Sequence, residues 1–182
     1  MTDFGEGGKV VRRQRLMYEL TVWDKPRPQA RKRIVNRQGK VSVYPASRDV
    51  ASVYHIRKAF LDDVGFDGEP EEWAPADRPV EDHMRVLFPK GKVMAMSLIA
   101  HVRCPASISV RKRKLGQAGW PQGRDGDLDN ITKAVKDALQ GFAFWNDKQI
   151  VMYKEPYFLT YAIDQLTGED TRPHLWIRLE EL

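Results

Sequence analysis

Apolar and polar positions along the chain fall into two periods. Residues 16–23 alternate, with Tyr18, Leu20 and Val22 on one face, and predict a first β-strand. Further strands are expected at 41–44, after a turn at Gln38-Gly39, and over 93–102. Two late ones, at 155–161 and 174–179, are joined through a turn at Thr167-Gly168. Helical spacing appears over 47–61, where Val50, Val53, Tyr54 and Phe60 fall near one face. It is clearest over 129–140. At about 100° per residue, Ile131, Ala134, Val135, Ala138 and Leu139 share one side, and Asp129, Lys133 and Asp137 share the other. Residues 107–118 read as a basic helical segment. Two prolines and five bases exclude a regular helix from 25–33, and glycines break regular structure over 119–126. These elements predict an α+β fold, one compact domain with a mixed β-sheet flanked by helices. A flexible lead (1–16) would precede the body (17–182). There is no internal repeat, and no apolar run nears the roughly 18–20 residues that span a bilayer.

Composition adds little to this; charge distribution adds more. The 182 residues are 42% hydrophobic and 30% charged, as expected of one globular core. The net charge is +5, but residues 62–82 hold nine acidic residues against the single base Arg78. That stretch therefore carries −8 and leaves +13 on the remainder. With its prolines it reads as a surface insertion extending to about residue 90. The basic remainder favours a polyanionic partner, nucleic acid first. The N-terminus lacks the basic start and apolar core of a signal peptide. Cys104, the only cysteine, has no metal-ligand spacing and reads as a small buried hydrophobe. A cytoplasmic location is the simplest expectation.

Candidate chemistry concentrates in residues 127–149. With Asp129 as N-cap and Gly141 at the C-terminal end, the helix start brings Asp127, Asp129 and the Lys133 ammonium together. Clustered carboxylates repel one another unless a cation compensates. A hard ion such as Mg²⁺ takes one or two carboxylates plus waters and phosphate oxygens, and it can activate water against a phosphodiester. Lys133 would neutralise transition-state charge, and Asp147 could return as a third ligand. The same residues also suit a plain helix cap, a solvated Lys–Asp face and an ordinary turn. Spacing alone leaves these readings open.

The run Gly126-Asp127-Leu128-Asp129-Asn130, then Lys133-Ala134-Val135, Asp137-Ala138-Leu139 and Trp145-Asn146-Asp147-Lys148-Gln149, resembles the signature of the RusA family of Holliday junction resolvases. Lys25-Pro26-Arg27-Pro28 with Arg31 and Arg33 resembles that family's basic Pro-rich segment. Residues 105–114 (PASISVRKRK) resemble the basic helix before its acidic motif. The resemblance covers roughly 17–60 and 93–180. It implies a homodimeric, Mg²⁺-dependent endodeoxyribonuclease (Mn²⁺ as substitute), of phage or prophage type, that resolves four-way junctions by paired nicks. Asp127, Asp129 and Asp147 would bind metal and Lys133 would be the catalytic lysine. The lead and the acidic stretch look like additions to the family core. Asn146 stands where an acidic residue is frequent, so a fourth carboxylate is lacking.

DNA phosphates are expected at two basic clusters: Lys25, Arg27, Arg31, Lys32 and Arg33, and Arg111, Lys112, Arg113 and Lys114. Trp120 could stack on unpaired bases, whereas Trp145 reads as core. The four histidines show no ligand spacing. Other readings are a non-catalytic junction-binding protein, a nuclease for other branched DNA, and a D-x-D glycosyltransferase. The short chain and the lack of a nucleotide-binding βαβ pattern argue against the last.

Overall fold

A computed structural model describes residues 16–26, 33–37, 40–44, 47–66, 68, 86–121 and 127–182. Its main sheet has four strands in the order β1 (Met17–Val22), β6 (His174–Glu181), β4 (Met94–Val102), β5 (Ile150–Tyr161). β6 runs antiparallel to both β1 and β4, while β4 and β5 are parallel, so the sheet is mixed. A separate hairpin pairs β2 (Arg33–Arg37) with β3 (Lys40–Tyr44). The helices are α1 (Ser47–Asp63), the short α2 (Val110–Lys114) and α3 (Leu128–Leu139). The architecture is the α+β arrangement expected from the sequence.

Register explains the core. Leu20 pairs with Ile177, Ile177 with Leu98, and Leu98 with Tyr157, so one face of the sheet carries an apolar row across all four strands. Phe60 and Ile56 of α1 and Ile131, Val135 and Leu139 of α3 complete that core. Phe88 and Phe144, both fully buried, close one end. α1 also caps α3. The Arg57 guanidinium donates to the carbonyls of Ala138 (3.0 Å) and Asp137 (3.3 Å), the groups a helix C-terminus leaves unpaired. Gly141 follows at φ 78°, a left-handed turn that suits glycine.

The structure moves several expected boundaries. α3 starts one residue early, because Asp127 rather than Asp129 is its N-cap: the Asp127 side chain accepts from the Asp129 N–H at 3.2 Å. The basic helix is one turn, 110–114, not 107–118. β5 begins five residues before the expected 155. Val151, Met152 and Tyr153 are all exposed on this edge strand, so no alternation announces it. β2 was not expected beside the basic Pro-rich run. Asp62 and Asp63 belong to the last turn of α1. The rest of the acidic stretch, apart from 64–66, 68 and the short described approach to β4, lies outside the described residues. So do the lead before Leu16, the Gln38-Gly39 turn and residues 122–126. Cys104 is buried, as expected.

Three rings line up where β1, β6 and β4 meet: Trp23 lies 4.8 Å from His174, which stacks on His101 at 4.0 Å. Burial, and then His174 beside it, hold His101 well below the usual imidazole range, at about 4. In the unfolded chain the group recovers an ordinary value near 6.5. Between these values the unfolded chain binds more protons, so stability rises with pH across the window and is lost as pH falls through it. Denaturant midpoints should therefore drop from about pH 6.5 towards 4. His101→Gln should flatten that part of the profile, as urea titrations at stepped pH will read.

Candidate active site

α3 delivers its acidic residues because its first turn is fixed twice. Asp127 caps the backbone, and the Thr132 hydroxyl bonds the Leu128 carbonyl at 2.8 Å. The same Thr132 oxygen lies 2.8 Å from the Tyr157 hydroxyl on β5. Thr132 has one hydroxyl proton, which goes to Leu128, so Tyr157 is the donor in the second bond. Burial raises the Tyr157 pKa. Tyr153 and the carboxylates of Asp129 and Asp127 add to that rise. The phenol therefore stays neutral beside two anions.

Asp147 is delivered by a different device. Residues 147–149 form one 3-10 turn, capped by Asn146, whose side chain accepts from the Lys148 N–H at 2.9 Å. The buried Gln149 amide locks that turn. Its Oε1 accepts from the Asn146 N–H at 2.9 Å, and its Nε2 donates to the carbonyls of Pro89 (2.9 Å), Lys92 (3.0 Å) and Phe88 (3.3 Å). Gln140 then accepts from the Asp147 N–H at 3.3 Å. The Asp147 carboxylate is left facing Lys136, 3.5 Å away.

Between these two pieces lies an open cavity of about 260 Å³ lined by Asp129, Asn130, Thr132, Lys133, Lys136, Asp137, Asp147 and Tyr153. Of the four expected catalytic residues, Asp129, Lys133 and Asp147 border it; Asp127 is held at the cap instead. Lys133 is exposed and makes no ion pair among the described residues. The cavity's formal charges are three carboxylates (Asp129, Asp137, Asp147) against two ammoniums (Lys133, Lys136). The acids share a wall but do not converge: among the described residues no three His, Cys, Asp or Glu are gathered as metal ligands. Asp147 sits against Lys136, seven residues along α3 from Asp129, which is roughly 10 Å of helix rise. Mg²⁺ holds its oxygens within about 4 Å of one another, so separated carboxylates suit an ion bound directly by one of them and otherwise by waters and phosphate oxygens.

The sequence model of the endodeoxyribonuclease RusA family matches residues 75–161. Over that span the chain is similar to the RusA endodeoxyribonucleases. None of the curated proteins compared with it matches. The match runs through β4, α2, α3 and β5 and ends with the last residue of β5, so the whole cavity lies inside it. It begins at residue 75, within the stretch read as an insertion.

The matched segment carries the second basic cluster, and the structure divides it. Arg111, Lys112 and Lys114 are exposed on α2. Arg113 is 6% exposed, and its guanidinium is fully engaged inside the protein. It donates to the carbonyls of Ile108 (2.8 Å) and Pro105 (3.1 Å) and pairs with Asp170 at 2.7 Å. Arg113 is thus a bolt between α2 and the loop before β6, a correction to its expected place among the phosphate contacts. In the first cluster Lys25 is exposed and Arg33 opens β2, while Arg27, Arg31 and Lys32 lie outside the described residues. Trp120 is 68% exposed and Trp145 half-buried. Sequence reading gives no role to Lys136, Tyr153 or Tyr157, and names Asn130 only within the motif. Only Lys136 had a local signal, one residue short of Asp137 on the same helix. Gln149→Leu keeps the volume but strands three carbonyls, so stability should fall by about 1–3 kcal/mol in urea denaturation.

Proposed function

We propose that this chain is a RusA-family nuclease that resolves four-way DNA junctions by paired, metal-dependent nicks. The cavity charge carries this reading: three carboxylates against two lysines repel a phosphate until a cation enters. Asp129 would hold Mg²⁺ (or Mn²⁺) directly, with Asp147 reaching the ion's waters and Asp127 fixing the turn that presents Asp129. When bound, the ion would polarise the phosphodiester and favour attack by water. Lys133, exposed on the rim and unpaired among the described residues, keeps its ammonium for the charge that develops on the phosphate. Lys136 balances Asp147.

DNA would be gripped through its backbone. Lys25, Arg111, Lys112 and Lys114 are exposed, and phosphate contacts need no base readout. Arg27, Arg31, Lys32 and Arg33 would extend that surface. A four-way junction has approximate two-fold symmetry, so a homodimer would offer two equivalent cavities for matched cuts. A cytoplasmic setting and a phage or prophage source suit this role. Among the described residues no helix is long and apolar enough to cross a membrane.

Labelled four-way junction and matched linear duplex, with Mg²⁺ or EDTA, test the proposal. Symmetric nicks confined to the junction and dependent on Mg²⁺ are expected. Tight binding without nicks at any Mg²⁺ concentration would replace it with a non-catalytic junction-binding protein, and equal cutting of flaps with a broader branched-DNA nuclease. Asp129→Asn should lower nicking by more than about 100-fold while retaining junction binding, since even outer-shell partners of a metal cost roughly 10- to 100-fold. Full nicking by that variant would remove Asp129 from the metal.

A further inference from the structure

One wall of the cavity is not accounted for by charge. Tyr153 lines it and is 44% exposed, and its ring lies 4.8 Å from that of Tyr157, inclined by 30°. Residues four apart on a regular strand stand roughly 13 Å apart and cannot stack. Here Met96 of β4 pairs with Tyr153 and Leu98 with Tyr157, so β5 uses four residues where β4 uses two. The bulge preserves the face and draws the two phenols to adjacent positions on it. Tyr157 cannot swing away, because its hydroxyl is bonded to Thr132 in the first turn of α3, the turn that carries Asp129. Tyr153 therefore has a fixed backing on one side and the cavity on the other.

Hydrolysis of a phosphodiester has no use for a phenol ring that only covers a wall, and a ring this exposed adds little to the core. A nucleotide, however, joins its base to its phosphate through a single sugar. A phosphate lodged beside Asp129 and Asp147 leaves an unpaired base within reach of a ring on the same wall. We propose that Tyr153, backed by Tyr157, is a stacking platform for a nucleobase that has left its pair next to the scissile phosphate. The proposal rests on the nuclease reading above and adds a source of selectivity to it. Continuous duplex keeps its bases stacked on each other and offers only phosphates. An opened branch point supplies the free π-face that an aromatic ring can hold.

The test has two independent readouts. A junction carrying 5-iododeoxyuridine beside the mapped cut site is bound to the protein in EDTA and irradiated. The crosslinked peptide, read by mass spectrometry, should contain Tyr153. In Mg²⁺, Tyr153→Ala should raise KM for the junction about tenfold, the scale of one lost base–aromatic stack. Tyr153→Phe, which keeps the ring, should recover most of that loss. A thermal melt of each variant separates the effect from instability. Crosslinking mapped elsewhere, wild-type KM in Tyr153→Ala, or a Phe variant as poor as Ala overturns the platform alone. Wild-type protein that neither binds nor nicks any branched DNA overturns the nuclease reading and the platform with it.

Discussion

The side-chain amide of Gln149 has two N–H protons and three carbonyl oxygens within reach, from Phe88, Pro89 and Lys92, and its own oxygen holds the Asn146 N–H. Those carbonyls belong to the turn that leads into β4. The amide therefore stitches the entry of β4 to the entry of β5, at the end of the sheet where neither strand has yet begun. Strand pairing cannot do this work, since Met94 and Ile150 are the first partners in the parallel register. Because the amide is buried, each bond left unmade would cost a full desolvation penalty, which makes the turn stiff. Asp147 sits two residues away and inherits that stiffness, as does the first residue of β5.

The electrostatics of the cavity follow from what each carboxylate is already doing. Asp127 serves the backbone of α3, where the partial positive charge of the helix start favours an anion. Asp147 faces Lys136 across 3.5 Å, with its side chain still 42% exposed, an ion pair weak enough to be exchanged. Asp129, in the first helical turn, shares the helix-start field without being spent on the cap. The three acids therefore differ in availability, although they look alike as letters. A wall with one excess negative charge is poorly suited to polyanions by itself, while exposed bases on α2 are well suited to them. In the proposed reading, a cation entering the cavity reconciles attraction at long range with rejection at the centre.

What was legible in the sequence was what depends on period. α3 could be read from Ile131, Val135 and Leu139, and β1 from Leu20 and Val22, because each presents one apolar face to one core. Asp129, Lys133 and Asp147 could be read as a constellation because several motif elements occurred in order. Some illegible features depended on a partner distant in sequence, others on local geometry that no period encodes. Arg113 looks like its neighbours Arg111, Lys112 and Lys114 until Asp170, 57 residues on, claims it. The opening of β5 is exposed on an edge and shows no alternation. Tyr153 and Tyr157 meet only through a bulge, which no local pattern encodes. The cap fell one motif position from its expected place because Asp127 and Asp129 are equally good capping residues, and only backbone geometry chooses between them.

The placement of the cavity is a consequence of topology as much as of motif. Parallel strands cannot be joined by a hairpin, so β4 and β5 require a crossover, and α3 lies within it. The crossover helix must begin near one end of the strand pair and finish near the other. Its first turn meets β5 at Tyr157, and its later turn, at Lys136, meets the segment entering β5 at Asp147. Both walls of the cavity are therefore tied to the same strand, one through a phenol–hydroxyl bond and one through the turn that opens it. Any change that slides β5 against β4 moves the two walls together with respect to the sheet but leaves their separation to α3. This is why the cavity residues sit on a β–α–β unit wholly inside the family match, with β1, β6 and α1 serving to bury its other side.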